Sequence, residues 1–223
     1  MTTKTTLRAE MRSRRRARRA GTSALEAPLT PTFSRSPIPV RDRAEAEGIA
    51  HQIGALASSM GGVTLPALFA PTPLEPDMSL ALGLFERALL PVLLDEAGAP
   101  LGAPRWGIWE AGQALVMLGR PPAQPSGEVL GAESLKEADL IIIPALAASV
   151  DGTRLGQGGG WYDRALVHRS PGIPVVAVIF DDEVLESGVI PTEAHDVPID
   201  AIITPTRTIT ANARQAFFQG FSS

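Results

Sequence analysis

The sequence predicts a three-layer α/β domain on a mostly parallel sheet, and three observations carry that prediction. Residues 139–146 (DLIIIPAL), 174–180 (PVVAVIF) and 200–204 (DAIIT) are short, continuous apolar runs rich in Ile and Val. Such runs suit strands covered on both faces, as in parallel sheets. Helical stretches at 160–169 and 207–218 lie between or after them, and this βα alternation belongs to the same architecture. The chain of 223 residues is long enough to bury a substantial core.

Taken in order, residues 4–20 (KTTLRAEMRSRRRARRA) read as a helix, because good helix formers dominate and neither Gly nor Pro interrupts them. Leu7 and Met11 form a narrow apolar stripe four residues apart. Gly21 ends the helix, and 22–40, with Pro28, Pro31, Pro37 and Pro39, reads as a loop or linker. A second helix over 41–59 presents Ala44, Ile49, Ile53, Leu56 and Ala57 as its buried side. VTLPALFA (63–70) is a strand with a proline inside it. The segment 77–90 looks helical and leads into LLPVLL (89–94), and ALVML (114–118) reads as another short strand.

Charge is divided unevenly. The net charge is −4, yet residues 1–20 carry eight basic side chains and one acidic, while the remainder carries 12 basic and 23 acidic. A basic arm on an acidic body suggests that the arm meets an anion: nucleic acid, a membrane, or the phosphates of a nucleotide. Cysteine is absent, which excludes a disulfide scaffold, a thiol nucleophile and a thiolate metal site. No apolar run reaches the roughly 18–20 residues that span a bilayer.

In open parallel sheets, ligands gather beyond the carboxyl ends of the strands, so the loops after 143, 180 and 204 are expected to face the site. The first of these leads to RLGQGGGWYDRAL (154–166). Gly156, Gly158, Gly159 and Gly160 precede a predicted helix, where exposed backbone N–H groups and the helix dipole favour a phosphate. Arg154 and Arg164 flank the turn, and Asp163 offers a hard oxygen suited to magnesium. The spacing matches neither the P-loop nor the dinucleotide fingerprint.

DLIIIPALA followed by GTRLGQGGGWYDR resembles the signature of the 5-formyltetrahydrofolate cyclo-ligase family: a strand, P-G-L-A-F-D, then G-x-R-L-G-x-G-x-G-Y-Y-D. Lys4-x-x-Leu7-Arg8 resembles the family's K-x-x-L-R helix. Pro73-Leu74-Glu75-Pro76 stands after the first strand, where the family carries a substrate-side glutamate. Pro191-Thr192-Glu193-Ala194-His195-Asp196, then Ile202-Ile203-Thr204, resembles the family's P-x-E-x-H-D and terminal I-I-T.

The resemblance implies a Rossmann-like α/β fold covered by N-terminal helices, with residues 1–223 as one domain. It implies ATP- and magnesium-dependent cyclisation of 5-formyltetrahydrofolate to 5,10-methenyltetrahydrofolate, with ADP and phosphate released. Lys4, Arg8 and Arg154 would reach the ATP phosphates, with Arg154 as the catalytic cation. Gly156, Gly158, Gly159, Gly160, Trp161, Tyr162 and Asp163 would line the nucleotide. Glu75, Gln157 and Trp161 would contact the folate, and Asp163 and Asp196 would hold Mg2+. The expected setting is a cytoplasmic monomer that meets ATP and the folate but neither membrane nor nucleic acid. A transit-peptide reading of residues 1–20 conflicts with Lys4 and Arg8 serving the nucleotide and is set aside.

Four positions depart from the pattern. Ala148-Ser149 replaces a bulky residue followed by Asp, Gln157 replaces Tyr or Arg, Trp161 replaces Tyr, and Ala111 replaces the proline of a G-I-x-E-P segment. Loss of the carboxylate at Ser149 is the only support for a second reading, a relative that binds folate or nucleotide without turnover. A nucleic-acid-binding protein is a third, opposed by the acidic body.

Blander roles stand beside several of these. His195 next to Asp196 reads as a loop hydrogen-bonding residue in preference to a general base, and His51 and His168 as helix-surface residues. Trp106 and Trp109, taken as lying in a Gly-rich loop, suit either pterin stacking or core packing. Glu75 between prolines could be a solvated turn carboxylate, and Arg14–Arg19 reads as a solvated helix face.

Overall fold

The computed structural model describes residues 3–22, 38–193 and 196–211. Its elements in chain order are α1 (Lys4–Thr22), α2 (Arg43–Ser59), β1 (Pro66–Ala67), α3 (Ser79–Leu82), β2 (Arg87–Leu94), β3 (Pro100–Glu110), β4 (Leu140–Pro144), β5 (Ala147–Ser149), β6 (Arg154–Leu155), α4 (Trp161–Leu166), β7 (Val175–Val178), β8 (Val184–Leu185), β9 (Ala201–Ile203) and β10 (Thr208–Thr210). Short 3₁₀ turns occupy Ala132–Glu137 and Asp181–Glu183.

Seven strands form the central sheet in the order β10-β9-β7-β4-β1-β2-β3. The pairs from β9 through β7, β4 and β1 to β2 are parallel, and β10 and β3 close the two edges antiparallel. Strand alternation sorts the core into two faces. Ile142, Val176, Val178 and Ile203 pack with Ile49, Ile53 and Leu56 of α2 and Leu82 of α3. Ile141, Ile143, Val175 and Ala177 pack on the other side with Leu135 and with Ala165 and Leu166 of α4. These faces are the three layers expected from the sequence. A smaller sheet, β6-β5-β8, carries a third cluster in which Leu7 and Met11 of α1 meet Leu146, Leu155 and Ile190.

Several elements differ from expectation. The helix expected over 77–90 stops at Leu82, and Arg87 onward becomes β2, because pairing with β3 along its length outweighs local propensity. Trp106 and Trp109 lie in β3 and not in a loop, and both are buried, on opposite faces. Residues 114–118 form only one isolated bridge, Val116 to Gln124. Within 63–70 only Pro66–Ala67 joins the ladder, with the proline in first place, where its missing N–H is tolerated. The helix expected at 207–218 begins as β10, a β-branched Thr-Ile-Thr triplet paired to β9. The rest of it, most of the 22–40 loop, and His195 lie outside the described residues. Helix α1 continues past Gly21, and α4 is shorter than 160–169. In α2, Ala44 is exposed, and Ala46 takes its place on the buried side.

Candidate functional site

Helix α1 presents two neighbouring rows at four-residue spacing, the spacing that stacks side chains one turn apart. Leu7, Met11 and Arg15 form the buried row. Arg15 is a surprise at its end: instead of facing solvent it donates from Nε and Nη2 to the two Glu183 oxygens (2.8 and 2.7 Å) and from Nη2 to the Ala145 carbonyl (2.5 Å). Glu183 is fully buried and also accepts from Phe180 N–H (3.0 Å). Arg18 stacks over the Phe180 ring at 3.9 Å and donates to Asp182. The run 14–19 is therefore not a wholly solvated face. Arg15 and Arg18 dock on acidic residues of the 181–183 turn, while Arg14 and Arg16 are exposed.

The second row, Lys4, Arg8 and Arg12, meets the body at the glycine-rich loop. Arg8 Nε donates to the Gly156 carbonyl at 3.0 Å. Arg12, not singled out in the sequence, donates to the Gln157 carbonyl (2.6 Å) and to Gln157 Oε1 (3.2 Å). Lys4 Nζ donates to Asp196 Oδ2 (2.7 Å) and Glu193 Oε2 (3.0 Å). Burial alone would lower the Lys4 pKa, but these carboxylates outweigh it and hold it above the ordinary lysine value. The regular step 4, 8, 12 was the signal for Arg12.

Between this row and the sheet lies a cavity of about 640 Å³. Its walls come from α1, the segment after β1, β2, the end of β4, the glycine-rich loop, Glu193 and Asp196. Every candidate site residue lines it: Lys4, Arg8, Glu75, Arg154, Gly156, Gln157, Gly158, Gly159, Gly160, Trp161, Tyr162, Asp163 and Asp196. Gly158 (φ 99°) and Gly160 (φ 62°) hold left-handed backbone, which favours glycine, and Gly158 passes against the Arg8 guanidinium. Of the three connections expected at the site, the one after β4 brings the glycine-rich loop and the one after β7 brings Glu193 and Asp196. The 181–183 turn that begins the connection after β7 is instead taken up by Arg15 and Arg18 of α1, and the loop after 204 packs on α2 at Gly48.

Arg154 is buried and already engaged. It donates to the Val197 carbonyl and to Asp163 Oδ1. Burial pushes its pKa below the usual arginine value, opposed by the charge of Asp163. It is thus a fixed cation tied to Asp163. Asp196 Oδ2 accepts both Lys4 and the Glu193 N–H (2.8 Å). Among the described residues no cluster of three or more His, Cys, Asp or Glu forms a metal cage. Two carboxylates on a cavity wall still fit magnesium, which commonly binds one or two carboxylates together with phosphate oxygens and water.

Glu75 is 7% exposed and so is not a solvated turn carboxylate; Oε2 accepts from Thr72 N–H at 2.8 Å. Burial, reinforced by the negative charge of Glu75, raises the Tyr162 pKa well above its ordinary value and keeps the phenol protonated. Trp161 meets Trp106 and Tyr162 edge-on, at centroid distances of 5.2 and 4.8 Å. Trp106 therefore supports Trp161 from the core, and Trp109 packs in the opposite layer. Ser149 is fully buried in β5, does not line the cavity, and its Oγ has no partner among the described residues. The carboxylate missing there is not missing from the cavity wall. Among the described residues no helix is long and apolar enough to cross a membrane.

Comparison with known proteins points the same way. The model of the 5-formyltetrahydrofolate cyclo-ligase family matches residues 85–205. A 5-formyltetrahydrofolate cyclo-ligase of Mycolicibacterium smegmatis is 40% identical over 172 residues, covering 75% of this chain and 85% of that protein. One from Escherichia coli K12 is 33% identical over 85 residues, covering 38% of this chain and 46% of that protein. The NMR structure of Aquifex aeolicus 5,10-methenyltetrahydrofolate synthetase superposes with a TM-score of 0.62 at 21% identity, covering 92% of this chain and 93% of that one, which shows a shared fold.

Proposed function

The chain belongs to the 5-formyltetrahydrofolate cyclo-ligase family, and from that premise we propose that it closes 5-formyltetrahydrofolate to 5,10-methenyltetrahydrofolate with ATP and magnesium, releasing ADP and phosphate. One observation carries the reading: a single cavity has cations and a glycine-rich loop on one side and the buried carboxylate of Glu75 on another. Phosphates suit the first wall and a polar heterocycle the second. Lys4, Arg8, Arg12 and Arg15 of α1 turn inward onto the body, which favours a small anion held in the cavity over nucleic acid held outside. Because α1 completes the cavity, residues 1–223 are read as one functional unit.

A formamide is a poor electrophile. Transfer of the γ-phosphoryl group to the formyl oxygen makes that oxygen a leaving group. N10 of the folate then attacks the activated carbon, the five-membered ring closes, and the oxygen departs with phosphate. Such a reaction asks the protein for positioning and charge neutralisation more than for a nucleophile. Lys4 and Arg8 orient the phosphates, Gly158–Gly160 offer backbone N–H groups, and Arg154 supplies fixed positive potential. Asp163 and Asp196 would hold magnesium, which supplies charge neutralisation on the phosphate oxygens. Glu75 and Trp161 hold the folate, and Tyr162 lines the nucleotide side.

The test is direct. Purified protein mixed with 5-formyltetrahydrofolate should develop the absorbance of the methenyl product only when ATP and magnesium are both present. Binding of both ligands with no product would instead support the non-catalytic reading.

A further inference from the structure

We propose that Arg41 is a positioning residue for the folate side of the cavity, gripping the Pro73 and Glu75 carbonyls so that the Glu75 carboxylate is held at the wall. The inference rests on the reading of Glu75 as the folate-side carboxylate. Glu75 lies between β1 and α3, in a stretch that no strand or helix fixes. Pro73 and Pro76 have no N–H to anchor it.

The residue just before the N-cap of α2 supplies the anchor. Arg41 Nη1 donates to Pro73 O (2.7 Å), and Nη2 donates to Glu75 O (2.9 Å). One planar guanidinium therefore spans alternate carbonyls and fixes the peptide units between them, a grip that a lysine ammonium does not reproduce. Asp77 closes the bracket from the other direction. Its Oδ2 accepts the backbone N–H of Arg41 (2.6 Å) and of Asp42 (3.1 Å), its Oδ1 accepts Ser79 N–H (3.0 Å), and its own N–H donates to Glu45 Oε1 (2.5 Å). Asp77 is fully buried, and the Arg41 side chain is 19% exposed. Glu75 Oε2 is turned back onto Thr72 N–H, while Oε1 receives no hydrogen bond from the described residues. The backbone clamp and the Thr72 contact thus leave one oxygen for the ligand.

The experiment is a double-mutant cycle in the full chain, reading the KM for each substrate, with the thermal transition checking that each variant folds. Arg41→Ala should raise the KM for 5-formyltetrahydrofolate about tenfold and leave the KM for ATP within about twofold. Arg41→Lys, which keeps the charge but offers one ammonium nitrogen in place of the planar fork, should fold and fall between. In a Glu75→Gln background, Arg41→Ala should add little, because both act through one group. If Glu75→Gln raises the folate KM but Arg41→Ala and Arg41→Lys do not, or if the two effects multiply in full, the role of Arg41 is overturned while that of Glu75 stands. If Glu75→Gln leaves the folate KM unchanged, the Glu75 reading fails and the inference with it. An equal rise in both KM values would make Arg41 a structural residue only.

Discussion

Replacing Arg15 with Met should cost far more than an arginine in a run of surface arginines would suggest. The Arg15 side chain is 1% exposed, and its partner Glu183 is fully buried. Truncating one member of such a pair leaves a buried charge uncompensated, at about 3–5 kcal/mol. Here Glu183 keeps the Phe180 N–H at 3.0 Å and Arg18 at 3.7 Å, so the loss falls near the lower end, about 3 kcal/mol. For a chain of this size each kcal/mol moves Tm by about 2–4 °C, giving a fall of roughly 6–12 °C. Met keeps the apolar stem, so the loss reports on charge and hydrogen bonding. Arg15→Met combined with Glu183→Met should recover much of it, because two apolar groups can replace a buried pair at little cost. Thermal unfolding followed by circular dichroism reads all three proteins. A single variant melting within about 2 °C of the parent would refute the reasoning and return Arg15 to the solvated face.

Three further outcomes are expected. Burial, with the negative charges of Asp42 and Asp77, raises the Glu45 pKa to about 7, against the hydrogen bond from Asp77 N–H and the charge of Arg41. A carboxyl with a raised folded-state pKa binds protons more tightly folded than unfolded, so stability should fall as pH rises from about 4.5 to 7 and then level off. Glu45→Gln, which retains the acceptor, should flatten that slope and stabilise the protein above pH 7 by about 1–2 kcal/mol after solvent screening; unchanged pH dependence in denaturant titrations would contradict this. Gly158→Ala, at φ 99° beside Arg8, should cost about 1–3 kcal/mol and raise the KM for ATP more than that for the folate; parental stability and KM values would remove the strained loop from the argument. Asp163→Asn breaks the charge pair with Arg154 and should raise the magnesium midpoint about tenfold; an unchanged titration would take Asp163 out of the metal's reach.

The sequence made the central sheet and the cavity readable for a physical reason. Residues 140–143, 175–178 and 201–203 are buried on both faces, so their apolar runs are unbroken. The glycine-rich loop needs left-handed backbone at Gly158 and Gly160, so its glycines stand out. β3 was hidden because its outer half faces solvent and its glycines look like turn signals. The docking of Arg15 is not legible in the sequence, because charge alone does not tell a solvated guanidinium from one meeting a buried carboxylate 168 residues away. The bracket of Arg41 and Asp77 was equally hidden: it joins residues more than 30 positions apart through backbone carbonyls and N–H groups, which carry no sequence signature.

Phosphorylation at the formyl oxygen is tested most directly by labelling that oxygen with oxygen-18 and following turnover with ATP and magnesium. The phosphate released should carry one labelled oxygen for each methenyltetrahydrofolate formed. Methenyl product accompanied by unlabelled phosphate, with the label in water, would contradict transfer of the phosphoryl group to the formyl oxygen.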